Sequence, residues 1–217
     1  LFLHQSYPSY YLLTKKPNKP VILYYHGASN KLQRINFKIS MMLYKKRMAK
    51  IMAVSQAGIN QMRKMIGNIS AEVIYNGVDT NFYNPNLSKP YVKGEPQLLF
   101  VSALRPYKQA SLLISFMPDL LKKYPKIHLQ IVGTGEQKLF LENLVKQLKL
   151  ENHVELTGRI DDEQLKFRYS SCDVYVSAST FEVCPVPTLE AMACGKPLIL
   201  FDIEPHQEII KISNAGK

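Results

Sequence analysis

The chain has 217 residues, with 28 Lys or Arg against 17 Asp or Glu and a formal charge of +11. That length allows one or two domains with a core of ordinary size. No apolar run reaches the ~18 residues of a membrane span, and no basic segment precedes the apolar residues of "LFLHQSYPSYYLLTKKP", so neither a spanning helix nor a signal peptide is expected.

In chain order, "LFLHQ" and "PVILYYH" read as strands, the second ending at Gly27. Leu32, Ile35, Ile39, Met42 and Leu43 then recur at helical spacing, with Arg34, Lys38 and Lys45 elsewhere on the wheel, which makes a basic amphipathic helix. "KIMAVS" and "AEVIYNGV" are short β-rich runs on either side of a helix "QAGINQMRKMI", for which Ser55 is the expected N-cap. "NGVDTNFYNPNLSKPYVKGEP" has the composition of a turn or linker and puts a domain boundary near residue 88, giving domains 1–87 and 88–217. Residues 1 to 71 hold 12 Lys or Arg and no Asp or Glu, so all the excess positive charge lies in the first third and points to an anionic partner surface.

From residue 97 the alternation is regular. The strands are "QLLFVSAL", "HLQIVG", "HVELTG", "DVYVSA" and "PLILFD"; between them come helices over 110–123, "EQKLFLENLVKQLKL", "DDEQLKFRYSSC" and "TLEAMAC". Short apolar strands separated by amphipathic helices imply right-handed crossovers and a parallel, doubly wound sheet, which binds ligand beyond the carboxyl ends of its strands. The fold class is α/β. Cys172, Cys184 and Cys194 fit neither a disulfide framework nor a zinc site, which points to a reducing, cytoplasmic compartment.

The stretch "FEVCPVPTLEAMACGKPLI" carries the chemistry. Pro187 suits a first helical position, Gly195 suits the residue after a helix, and Pro197 forbids continuation. Glu182 therefore falls in a loop at a strand's carboxyl end and Glu190 on the helix, where both can face one ligand. The amides of Val183, Cys184 and Val186 surround the helix N-terminus, a site suited to phosphate. The plainer alternative makes Glu182 a cap and Glu190 a solvated helix residue. "VGTGE" lacks the third glycine of a dinucleotide fingerprint, so Gly133 and Gly135 either admit a ligand to the backbone or form an ordinary turn.

The two glutamates and "AMACGKPLI", together with "VIYNGVDTNFYNP", "LLFVSALRPYK", "LQIVGTGE", "VELTGRIDDEQLKFRYSSCDVYVSAS" and "FDIEPHQEII" in that order, resemble the family 4 retaining glycosyltransferases of GT-B fold. The resemblance covers nearly the whole chain. It implies a partial Rossmann-like first domain, a nucleotide-sugar-binding second domain, and no metal or other cofactor. It also implies that Glu190 binds the donor ribose, Glu182 contacts the transferred sugar, and Lys108 with the loop amides stabilises the leaving diphosphate. Where relatives carry Arg, position 103 is Ala, and Arg105 either takes over the diphosphate or is surface; Pro185 removes one loop amide. Arg159 matches the loop beside the base, and His26 matches a strand-end histidine facing the donor sugar; each is otherwise an ordinary structural or solvated residue.

By the same resemblance the acceptor is a glycan or lipid-linked, and residues 31–50 fit a helix lying on an anionic membrane, against the alternative of a core-packed helix. The expected location is cytoplasmic, peripheral at the membrane. No nucleic-acid-binding module is recognisable. A noncatalytic relative that binds nucleotide or a partner protein is the rival reading. The chain begins without Met and stops at "ISNAGK", where relatives continue, so a partial polypeptide is expected.

Overall fold

A computed structural model describes residues 2–4 and 20–213. The chain forms two compact units: Leu1–Asn76 with Glu182–Pro185 and Asp202–Lys217, and Gly77–Phe181 with Val186–Phe201. Of the first expected strand, Leu1 and Gln5 lie outside the described residues, as do residues 214–217 of "ISNAGK".

The first unit is a four-stranded parallel sheet in the order β1 (Phe2–His4), β2 (Val21–Tyr25), β3 (Met48–Ala53), β4 (Glu72–Val73). Crossover helices α1 (Lys31–Tyr44) and α2 (Gln56–Ile66) join the second strand to the third and the third to the fourth. Strand β2 alternates buried Val21, Leu23 and Tyr25 with half-buried neighbours, and Leu23 and Tyr25 pack with Phe37, Met41, Ile51, Ile59 and Met62 in one apolar cluster. The Asn30 side chain caps α1 by accepting from Gln33 N at 2.9 Å. Ser55 caps α2 as expected, its hydroxyl accepting from Gly58 N at 2.9 Å.

The two readings of helix α1, a stripe turned outward and a stripe packed in the core, are separated by its burial. Phe37, Met41 and Tyr44 face the core, while the expected stripe of Leu32, Ile35, Ile39, Met42 and Leu43 is exposed, from 44% at Ile35 to 77% at Met42. Core packing therefore uses the opposite face of the helix, and the stripe's periodicity is not explained by the core.

The second unit is a five-stranded parallel sheet in the order β7-β6-β5-β8-β9, with β5 (Gln97–Val101) central. In chain order β5 is followed by α3 (Ala110–Lys123), β6 (His128–Val132), α4 (Lys138–Gln147), β7 (Val154–Gly158), α5 (Asp162–Ser171), β8 (Val174–Ser177), α6 (Val186–Ala193) and β9 (Leu198–Leu200). The order reverses between β5 and β8, so this is a doubly wound sheet whose switch point lies between those strands. Leu99 and Phe100 on β5 are fully buried, on opposite sides of the strand in two separate apolar clusters, as expected where both sheet faces are covered. β5 ends at Val101, earlier than "QLLFVSAL" predicts. Beyond it, Ser102 N and Leu104 N bond to Val132 O and Thr134 O, in the turn that leaves β6.

The two units meet the expected boundary differently at three places. Val78, Phe82 and Tyr83 pack with Leu99, Tyr169 and Tyr175, so the segment from Gly77 belongs with the second sheet although its composition is that of a linker. Residues 182–185 and the last helix, α7 (Glu204–Ser213), which the sequence reading left unassigned, belong with the first. Glu208 of α7 explains the second attachment, because its carboxylate accepts from Gln56 N at 2.6 Å and Ala57 N at 2.8 Å at the N-terminus of α2. Among the described residues, no helix is long and apolar enough to cross a membrane.

A polar cluster ties β7 to α5. Arg168 donates to Glu155 at 2.9 Å, Lys93 pairs with the same carboxylate at 3.1 Å, and the Arg168 guanidinium lies 4.0 Å over the Tyr91 ring. Burial pushes the Glu155 carboxyl up, but the bonds from Lys93 and Arg168 outweigh it and hold it below its usual value of 4.5. A depressed carboxyl stabilises the fold above its unfolded value, and that contribution is lost as pH falls through the folded one. Glu155→Gln is therefore expected to cost about 2 kcal/mol at neutral pH, with the difference from wild type shrinking in acid; equal denaturant midpoints at pH 7 would contradict this.

Candidate functional site

In the first unit, His26 stands at the carboxyl end of β2, its ring edge-on to Tyr24 with centroids 4.6 Å apart. Gly27 follows with φ of 115°, a conformation that favours glycine. A Cβ there would lie 2.4 Å from Val183 Cγ2, so the glycine both turns the chain and vacates a seat for that valine. Val183 is 7% exposed, and Ser55 Oγ donates to its carbonyl at 2.6 Å. One hydroxyl thus caps α2 and holds the glutamate-bearing loop. Gln61 Oε1 accepts from Ala28 N at 3.1 Å and from the Tyr25 hydroxyl, which fixes the other side of the turn.

Glu182 is half-buried beside this seat. Burial pushes the Cys184 thiol up, bonds with Asn76 pull it back, and the Glu208 and Glu182 carboxylates add to the rise, leaving it above its ordinary value. None of the three cysteines is in a disulfide. His26, Glu182, Val183 and Cys184 accordingly belong to one unit.

The remaining candidates belong to the second. Pro106–Lys108 form a single 3-10 turn after β5, with Arg105 exposed and Lys108 half-buried, its Nζ 5.5 Å from the Tyr107 ring centroid. Thr180 donates to Tyr107 O from its amide at 2.9 Å and its hydroxyl at 3.1 Å, and Tyr107 meets Phe181 edge-on. The segments after β5 and β8 are thereby tied together at the switch point. Gly133, at φ 134°, is required by the fold itself: a Cβ would stand 1.9 Å from Ser102 O. Gly135 is pressed against the Leu104 backbone in the same way, at 2.5 Å. Arg159 is exposed just past β7.

Helix α6 starts at Val186, one residue before the expected Pro187, and carries Glu190. Glu190 is not a solvated helix residue. Tyr169 donates to its Oε2 at 2.7 Å, and Tyr83 also hydrogen-bonds it. Burial raises the Glu190 carboxyl, the two tyrosine bonds pull it down, Asp162 pushes it up, and the net position is above the usual carboxylate value. Tyr169 is fully buried and its hydroxyl is raised well above its ordinary value, so it remains a donor at any working pH. Sequence reading missed Tyr83 and Tyr169, which lie 107 and 21 positions from Glu190 or reach it only through the fold; no local spacing announces them.

A carboxylate oriented by two phenols keeps acceptor capacity for vicinal hydroxyls. Lys108 and Arg105 supply positive charge on the turn joined to the segment after β8. Among the described residues, no group of three or more His, Cys, Asp or Glu could hold a metal ion.

A family model described as glycosyl transferases group 1 matches residues 86–216, and one described as glycosyltransferase family 4 matches residues 1–82. An uncharacterized glycosyltransferase of Methanocaldococcus jannaschii is 33% identical over 64% of this chain and 38% of its own length. The phosphatidyl-myo-inositol mannosyltransferase of Mycolicibacterium smegmatis is 24% identical over 91% of this chain and 51% of its own. Among solved structures, Anabaena HepE in complex with UDP-glucose superposes with a TM-score of 0.74 at 24% identity, covering 88% of this chain and 56% of that one. The chain thus spans about half or less of the length of these curated relatives.

Tyr169→Phe tests the arrangement around Glu190. The hydroxyl favours the charged carboxylate, so its removal is expected to raise the Glu190 carboxyl further; carbon-13 NMR titration of labelled glutamate would read this, and an unmoved titration would contradict it.

Proposed function

Because the chain belongs to the group 1 glycosyltransferases of family 4, with their GT-B fold, we propose that it moves a hexose from a nucleoside diphosphate sugar to a glycan or lipid-linked acceptor with retention of configuration. The observation that carries this reading is Glu190: a half-buried carboxylate, kept oriented by Tyr169 and Tyr83, suits the two hydroxyls of a ribose. The UDP-glucose in the HepE complex and the lipid acceptor in the mannosyltransferase's name support the donor and acceptor classes.

In this reading the donor ribose is bound by Glu190, and Arg159 borders the base. Lys108 and Arg105, with the amides of Val183, Cys184 and Val186, take up the negative charge that grows on the diphosphate as the sugar–phosphate bond breaks. Gly133 and Gly135 keep the turn after β6 low beside the donor. Glu182 and His26 act at the transferred sugar, Glu182 beside the anomeric carbon and His26 by hydrogen bond to a hydroxyl. Cationic side chains and backbone amides supply the charge stabilisation, so no metal is required and chelator is expected to leave the rate unchanged. The reaction takes place in the cytoplasm, peripherally at an anionic membrane contacted by residues 31–50.

Thermal shift against UDP-, GDP- and ADP-sugars identifies the donor, since a hundredfold excess over Kd adds about 2.7 kcal/mol of stability. Glu182→Ala is expected to keep the donor-induced shift and lose about a hundredfold or more in transfer rate. Transfer at the wild-type rate in that variant would remove Glu182 from catalysis. A donor shift with no transfer by the wild type would favour the noncatalytic relative.

A further inference from the structure

Helix α1 is apolar on two opposite sides. One side is in the core; the other carries Leu32, Ile39, Met42 and Leu43 at 64%, 49%, 77% and 60% exposure. From Leu32 to Leu43 this outer strip runs about 17 Å. At its far end, between the last turns of α1 and α2, lies a hollow of about 460 Å³ with walls that include Met41, Met65 and Ile66. All the charged side chains lining it are lysines: Lys38, Lys45 and Lys46. An exposed apolar strip that ends in a lysine-rimmed apolar hollow matches a ligand that is itself anionic at one end and hydrocarbon at the other. The first 71 residues contain no acid that would repel it.

We propose that this hollow seats the phosphate headgroup and proximal acyl chain of one anionic membrane lipid, with the α1 strip lying in the bilayer interface. The proposal deepens the membrane contact proposed above and assigns it a discrete lipid site. It places that site at the end of α1 remote from Asn30 and from the carboxyl edge of its own sheet, where His26 stands. Lys38, Lys45 and Lys46 take the phosphate, the methionine and isoleucine walls take the chain, and Leu32, Ile39 and Met42 fix the helix parallel to the membrane plane.

The test is co-sedimentation with phosphatidylcholine vesicles with and without phosphatidylglycerol, using the full chain. Binding to the phosphatidylglycerol vesicles is expected, with saturable competition by a short-chain phosphatidylglycerol. Replacing Lys38, Lys45 and Lys46 together by Ser should weaken it on the order of a hundredfold, at roughly fivefold per lysine. Replacing Lys122, Lys123 and Lys146 by Ser removes the same charge from the second unit and should leave binding near wild type. Equal losses in the two triple variants would reduce the effect to diffuse charge and overturn the site. Unchanged binding in Leu32→Ser/Ile39→Ser/Met42→Ser would overturn it too, as would preference for DNA over vesicles, since nucleic acid needs no apolar strip. Donor thermal shift is read on every variant. Vesicle binding without any donor response would sink the transferase reading and leave the lipid site standing; a donor response without vesicle binding would do the reverse.

Discussion

Every strand in both sheets runs parallel to its neighbours, and that constraint decides where chemistry is available. In a parallel sheet each crossover returns the chain to the same starting edge, so every segment that leaves a strand emerges at the carboxyl edge. His26 follows β2, the Arg105–Lys108 turn follows β5, Gly133 and Gly135 follow β6, Arg159 follows β7, and Thr180 with Phe181 follows β8. Residues widely separated in sequence gather at two edges, one per unit, without any specific attraction between them. Side-chain bonds then add precision, as where Thr180 fastens the segment after β8 to Tyr107.

The two glutamates occupy different physical settings. Glu182 lies on a loop whose position depends on Val183 filling the space left by Gly27 and on a single hydroxyl from Ser55. Glu190 depends on a regular helix and on phenols from Tyr169 and Tyr83 that offset part of its burial. The first is placed through the backbone of its loop, the second through a helix and side-chain bonds.

Much of this could be read in the chain itself. Alternating apolar strands and amphipathic helices gave the second sheet in order, and the proline and glycine punctuation around α6 located its helix to within one residue. Ser55 was recognisable as a cap because Ser before a helix is a local signal. Its second bond, to Val183 across 128 positions, was not, and neither were Tyr169, Tyr83 or Glu208, whose roles arise only when remote segments pack. The linker-like composition of residues 76–96 concealed Val78, Phe82 and Tyr83, which complete the second core. On α1 periodicity established a helix but could not say which of its two apolar faces turned inward; the larger Phe37 and Tyr44 took the core.

The uneven charge of the first third separates arrival from residence. Twelve basic side chains without a single acid would attract an anionic surface over a Debye length of roughly 8–10 Å, which would set how often the molecule encountered it and make that frequency sensitive to salt. On the proposed lipid site, the strip on α1 would act only after contact, by excluding water, and would join the three lysines in setting how long the molecule stays. A rise in ionic strength would then slow capture more than it hastened escape.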